Sequence, residues 1–319
     1  MDKYNAGISL QNAAYSPRKL LLIHSGALLG LSLVLSVISY LLNFAIQPSG
    51  GLGSMNLQAL LSTAQVGLQL IQTLVTPLWA AGLIYIAISI ARGNQVAPRD
   101  LAAGFQKFGP IFTSTLMVGL QYLWRVFLST FLSAQILSFT PVATKLYEAA
   151  ANIEDVTAVD PQVLLGDDYI PIVLAYLGVT LLVMLVLVLP VFYRYRLTTY
   201  LIMDGQERGG STAMLRSRIL MFGRRWELAK LDLSFWWYYL LLMLSMSLSY
   251  GDVILDLLGV TLPIPGKVTF WGFLVLGLLA QLAVQVLAGP KVAVTYAHCY
   301  DRFLHRDDAV EDNVLDAEM

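Results

Sequence analysis

The sequence predicts an all-α fold: a polytopic transmembrane helix bundle of about six spans, with both termini cytoplasmic and a cytoplasmic amphipathic helix between spans 4 and 5. Three observations predict it. Of the 319 residues, 57% are hydrophobic and 13% charged, whereas a soluble domain carries roughly 25% charged and about 45–50% apolar residues. The apolar residues are gathered into long runs, and the basic residues fall almost entirely on one side of the alternation that those runs set up. One soluble core of this size does not hide such an excess of apolar surface, so lipid is the expected solvent.

The first run, Leu20–Ile46, exceeds the roughly 7–15 apolar residues of a signal peptide and is closed by no small-residue cleavage site, so it reads as a retained anchor. Five more come after it: Leu57–Ala91, Ile111–Phe139, Ile170–Met203, Leu233–Tyr250 and Val268–Tyr300. Each meets or approaches the roughly 20 residues that carry a helix across a hydrocarbon core of about 30 Å. The fifth is the shortest; as a helix, Phe235–Tyr250 is only about 24 Å long, and length alone leaves open whether it crosses fully. Residues 1–306 form a single integral membrane domain, and the acidic tail 307–319 is expected to have no fixed structure.

Charge sets the direction. With both ends inside, the inner segments and the inner parts of the runs carry 17 of the 20 Lys and Arg residues; the others are Lys145 and Lys267 in outer loops and Arg125 near the middle of a span. The second outer loop, about residues 140–169, is acidic through Glu148, Glu154, Asp155, Asp160, Asp167 and Asp168, and its composition suits either a small ordered cap or a mobile strap. The even-numbered runs each hold one proline, Pro77, Pro190 and Pro290. Proline removes a helical hydrogen bond and crowds the carbonyl four residues earlier, so each of these long helices is expected to kink.

Between the fourth and fifth runs, Ser211–Lys230 is amphipathic. Leu215, Ile219, Phe222, Trp226 and Ala229 recur at helical spacing and make one apolar stripe. Arg216, Arg218, Arg224, Arg225 and Lys230 occupy other faces. Such a helix lies on the inner leaflet, with Trp226 and the stripe at the headgroup boundary and the cations on anionic lipid; the plainer alternative is a loop helix packed on the ends of the bundle.

The stretch Ala213–Leu241, with Trp226, Leu228, Leu231, Asp232, Leu233, Ser234 and Phe235, resembles the hallmark of the domain-of-unknown-function 975 family of bacterial membrane proteins. Tyr193–Gly205 looks like that family's aromatic exit segment ending in aspartate. Gly289–Leu304 looks like its ending, through Pro290, Thr295, Ala297 and Tyr300. The resemblance is strongest over 189–304. The acidic outer loop and the segment Gly251–Lys267 are longer than the family pattern. What the resemblance implies is a multi-pass protein of the bacterial cytoplasmic membrane, with no activity attached.

Polar residues also lie inside the runs. Arg125 sits near the middle of the third, with Gln121, Ser129 and Ser133 on the same helical face. The second run has Gln65, Gln69, Gln72 and Thr76, and the sixth has Gln281 and Gln285. An intramembrane arginine costs at least about 2.5–3.5 kcal/mol on insertion scales, so it faces the bundle or a wet cavity. Three readings stand. The groups Arg125, Gln121, Gln69, Gln72, Gln281 and Gln285 act as interhelical glue, or they line a pocket for an anionic group, or Arg125 snorkels to an interface. No acidic residue lies in any run to neutralise Arg125.

Motifs for chemistry are nearly absent. The single cysteine, Cys299, excludes an intramolecular disulfide. His298, Asp301 and His305 share one helical side at metal-ligand spacing, but a polar helix leaving the membrane explains them more simply, so neither a metal nor a cofactor is expected. Asp204 and Asp232 read as helix-end groups. No arrangement of Ser, Cys or His suggests a nucleophile. The expected function is therefore non-catalytic, an accessory or organising protein; the alternative is a transporter or permease component with its pocket around Arg125. The expected partners are membrane lipids and another membrane protein or a second copy of the chain, and a net charge of −1 gives no argument for nucleic acid.

Overall fold

A computed structural model describes residues 53–140, 169–251 and 266–318, with positions 6, 8–11, 19, 144 and 255. The first apolar run, nearly all of the acidic outer loop and most of the segment 251–267 lie outside the described residues. Among the described residues every regular element is helical: α1 (Gly53–Ala91), a 3₁₀ turn (Pro98–Ala102), α2 (Ala103–Gln106), α3 (Phe108–Ser138), α4 (Tyr169–Tyr195), α5 (Thr198–Asp204), α6 (Gly210–Leu220), α7 (Arg225–Ser234), α8 (Trp236–Ser249) and α9 (Gly266–Glu318). A helix satisfies its own backbone groups, which an apolar solvent cannot do.

Three helices are long and apolar enough to cross a membrane, Phe108–Ser138, Pro171–Asp204 and Thr269–Arg306. A fourth is added if α7 and α8, bent by 61° at Phe235, count as one span; Val75–Ala91 is a shorter apolar helix. At most 11% of each apolar window is buried, so side chains such as Leu123 and Val186 face outward and require an apolar surrounding.

Two elements differ from expectation. The fourth run is interrupted at Arg196–Leu197, shortly after Pro190, and resumes as α5, which ends at Gly205 with φ 80°. The amphipathic stretch is two helices rather than one, because the chain turns at Met221–Arg224 with Gly223 at φ 75°, a conformation that glycine adopts without a Cβ clash. The helix α9 runs to Glu318, and no Gly or Pro interrupts the chain between Lys291 and that residue.

The chain divides into two compact units, residues 1–114 with 197–319, and residues 115–196. In the first, α1 packs on α9, α5 and the 3₁₀–α2 segment, and α8 packs on α9. Backbones come close there: a Cβ added at Gly82 would land on the carbonyl of Leu101, and one at Gly104 on the carbonyl of Leu78. The fully buried side chains gather towards the C-terminal part of α9, with Thr295, Tyr300 and Phe303 beside Leu201, Ile202, Leu220, Met221 and Leu228. Ala6 is buried against Ile86, Ile90, Val96, Leu101 and Val294, and Ser9 Oγ lies 3.1 Å from His298 Nε2. In the second unit, Ser129 and Ser133 are buried, and Ser129 Oγ donates to the Thr180 carbonyl at 3.5 Å.

Candidate functional site

Three elements of the first unit meet around one carboxylate. Arg92 follows the last residue of α1, Asp204 ends α5, and Tyr300 and Asp301 lie on α9. The guanidinium grips Asp204 with both terminal nitrogens, Nη2 at 3.1 Å from Oδ2, and grips Asp301 through Nη2 at 2.6 Å and Nε at 3.2 Å. The Tyr300 hydroxyl donates to Asp204 Oδ2 at 3.0 Å. The Asp204 side chain is 4% exposed and that of Arg92 37%, so the acid is desolvated while the base keeps one side in solvent. The hydrogen bond with Asp204 holds the Arg92 proton more firmly than usual, against the opposing effect of burial. Lys107 Nζ donates to the carbonyls of Ile202 at 2.5 Å and Met203 at 3.2 Å, which places a cation on the negative end of α5. Burial lowers the Lys107 pKa, and the charge of Asp204 offsets part of that effect.

A second polar group forms at the junction of α7 and α8. The Tyr296 hydroxyl donates to Asp232 Oδ1, while the Tyr239 hydroxyl stands 2.9 Å from that of Tyr296 and 3.5 Å from the same carboxylate oxygen. The buried Phe235 ring lies 6.3 Å from the Tyr296 ring. Nearby, Arg224 Nη1 donates to the Phe303 carbonyl at 2.9 Å, and Glu227 pairs with Arg306 at 3.5 Å. These contacts tie the segment 224–239 to the C-terminal half of α9. Among the described residues no three His, Cys, Asp or Glu side chains come together as metal ligands would.

Asp204 and Asp232 do end helices, but their main roles are tertiary, and sequence reasoning missed the partners. A usable signal was present: Asp204 closes and Asp232 opens an otherwise apolar or aromatic segment, where an unpaired carboxylate is costly. Of the expected intramembrane polar set, Arg125 and Gln121 are brought together on α3, where Arg125 Nη1 donates to the Gln121 Oε1 at 2.7 Å and to its carbonyl at 2.9 Å. Gln281 and Gln285 are half-buried on α9, in the other unit. The side chains of Gln69 and Gln72 lie outside the described residues.

The basic set of the amphipathic segment is divided as well. Arg216 pairs with Glu207 at 3.4 Å, Arg224 turns to Phe303, and the Arg225 Nε is buried; Arg218, Lys230 and Trp226 are exposed. Of the five cations expected on lipid, Arg216 and Arg224 thus have partners within the protein, and Arg218 and Lys230 are exposed.

Fold and site together define an α-helical protein with several helices that suit a membrane, in which Arg92, Asp204 and Asp301 meet where α1 and α5 end. The chain belongs to the family described as "Protein of unknown function (DUF975)", whose model matches residues 15–255. The match reaches much further towards the N-terminus than the segment of strongest resemblance, and it stops before the last helix. No curated protein and no solved structure matches the chain.

Proposed function

We propose that the chain is a six-span protein of the bacterial cytoplasmic membrane, with both termini in the cytoplasm, that works non-catalytically as an accessory or organising partner of other membrane components. The carrying observation is the Arg92–Asp204–Asp301 cluster with Tyr300. Its charged groups are spent on one another, which suits a clamp holding helix ends rather than a site awaiting substrate.

The same cluster supports the topology. Arg92 follows the second apolar run, Asp204 the fourth and Asp301 the sixth, and all three side chains meet. Their meeting is in keeping with an even number of crossings between each pair, and so supports a fifth run that crosses fully. Ser9, ahead of the first run, lies beside His298 near the end of the last, which asks for an even number over the whole chain. The excess of Lys and Arg on that side argues that it is the cytoplasmic one.

Reporter tags at the two ends and within 140–169 test the topology. The ends are expected to report the cytoplasm and the loop the opposite compartment; one shared compartment for all three overturns it. Crosslinking in intact membranes followed by purification in mild detergent tests the organising role. A stable stoichiometric partner or second copy supports it, and a chain that is monomeric and unpartnered under crosslinking overturns it.

A second reading, a permease component with a polar pocket, is favoured by one observation. Arg125 lies within an apolar helix and its guanidinium is bonded to Gln121 of that helix, with no carboxylate in the run. Arg125→Leu separates the readings. Normal folding with loss of solute flux supports the pocket, and normal folding with every phenotype retained removes it.

A further inference from the structure

The surface of α6 and α7 is divided by side. Ala213, Met214, Ser217, Leu220 and Leu228 point inward and are buried. Leu215, Ile219, Phe222 and Trp226 point outward and are 59%, 66%, 81% and 67% exposed. Exposure is kept across the turn at Gly223, where Phe222 is the most exposed of the four. Two cations near it, Arg218 and Lys230, are exposed, while Glu227 is engaged by Arg306 and Glu207 by Arg216.

The next helix of the chain indicates the cover for this apolar set. α7 leads into the apolar helix α8 through a bend of 61°, so when α8 crosses a bilayer, α7 turns towards the membrane plane. Trp236 and Trp237 open α8 and are 63% and 41% exposed, in the position where indole rings mark the membrane–water boundary. The apolar set of α6 and α7 is thus continuous along the chain with a boundary belt, and the cations near it are not cancelled by acids of their own helices. A helix of this pattern binds through its buried apolar area and through attraction to anionic lipid.

The geometry points to an interfacial seat: α6 and α7 lie on the inner leaflet, with Leu215, Ile219, Phe222 and Trp226 in the acyl boundary and Arg218 and Lys230 on anionic phospholipid headgroups. This rests on the membrane topology proposed above. It narrows the lipid-contacting cations from the whole basic cluster to two, since Arg216 and Arg224 are held within the protein and Arg225 is half-buried.

The test uses the full chain, whose single native cysteine, Cys299, is buried. A fluorescent label on Phe222→Cys is read in nanodiscs of phosphatidylcholine alone and of phosphatidylcholine with phosphatidylglycerol, using aqueous iodide and a lipid-borne spin quencher. A label on the exposed Gln95→Cys, in the loop after α1, serves as the aqueous reference. The expected result is a several-fold loss of iodide quenching at position 222 relative to 95, with lipid quenching that rises when phosphatidylglycerol is present. In the Arg218→Gln, Lys230→Gln double variant that rise is expected to disappear. Iodide quenching at 222 equal to that at 95 overturns the seat. Equal lipid quenching in both disc types overturns the assignment to anionic headgroups. Protection from iodide without lipid quenching overturns it in favour of a protein partner. A label on Leu182→Cys, at an exposed position of α4, separates failure of the seat from failure of the topology. If it escapes the lipid quencher, the membrane topology itself fails; if it is quenched while 222 is not, only the seat fails.

Discussion

Asp204 is held between Arg92 and Tyr300: its Oδ2 lies 3.1 Å from Arg92 Nη2 and accepts the Tyr300 hydroxyl at 3.0 Å. The two charges are unequally hidden, with 4% of the acid's side chain and 37% of the arginine's exposed. That asymmetry fixes which partner is costlier to lose.

Arg92→Leu leaves a desolvated carboxylate supported by Tyr300, and should destabilise the protein by about 2–4 kcal/mol, somewhat below the roughly 3–5 of a fully buried pair. Asp204→Asn leaves an arginine that retains Asp301 and solvent, and should cost about 1–2 kcal/mol. Thermal denaturation in detergent measures both. A larger loss for Asp204→Asn than for Arg92→Leu contradicts the unequal burial of the two charges as the cause.

Tyr296→Phe removes a hydrogen bond donated to the Asp232 carboxylate while keeping the ring that packs near Phe235. Bonds to charged groups are worth about 1.5–3 kcal/mol, and a loss in that range is expected. Tyr239→Phe, whose hydroxyl is 3.5 Å from the same oxygen, should cost less. The pair of melting curves decides.

Gly104→Ala places a methyl group on the Leu78 carbonyl, where neither backbone has room to move. An overpacked site of this kind loses about 1–3 kcal/mol or more. Gly109→Ala, with open space around its Cβ, serves as control and should be neutral or gain about 0.5–1 kcal/mol. Equal melting temperatures for the two variants would show that α1 and α2 do not approach as closely as described.

Gly223→Ala forces a Cβ into the left-handed conformation at the turn between α6 and α7, at a cost of about 1–2 kcal/mol. The relief open to the chain is to straighten that turn. The melting temperature should fall accordingly, with the helical circular dichroism signal unchanged or slightly higher.

The apolar elements were largely legible in the sequence, because hydropathy is a local property that accumulates residue by residue. The run Ile111–Phe139 became α3 (Phe108–Ser138), and Leu57–Ala91 became most of α1 (Gly53–Ala91). The interruption at Arg196–Leu197 was less legible, since no glycine or proline stands at the break itself. The turn at Gly223 carried only a single glycine as its sign, within a stripe whose spacing suits an unbroken helix.

The candidate site divides in the same way. Gln121 and Arg125 are one helical turn apart, so their contact follows from α-helix geometry alone. Asp204, Asp232 and Tyr296 gave no such local sign, because their partners are remote in the chain. Arg224 and Arg218 are alike in the sequence, yet one donates to the Phe303 carbonyl and the other stays exposed.

By itself, then, the amino-acid order determined that this chain is helical, that several helices suit an apolar solvent, and which family it resembles. Tertiary structure alone decided that Arg92, Asp204 and Asp301 close one cluster, and which cations of the segment 210–230 remain exposed. The physical reason is that burial in lipid depends on the sum of side chains along a run, whereas pairing depends on which helix faces meet. That second property belongs to no single stretch of sequence.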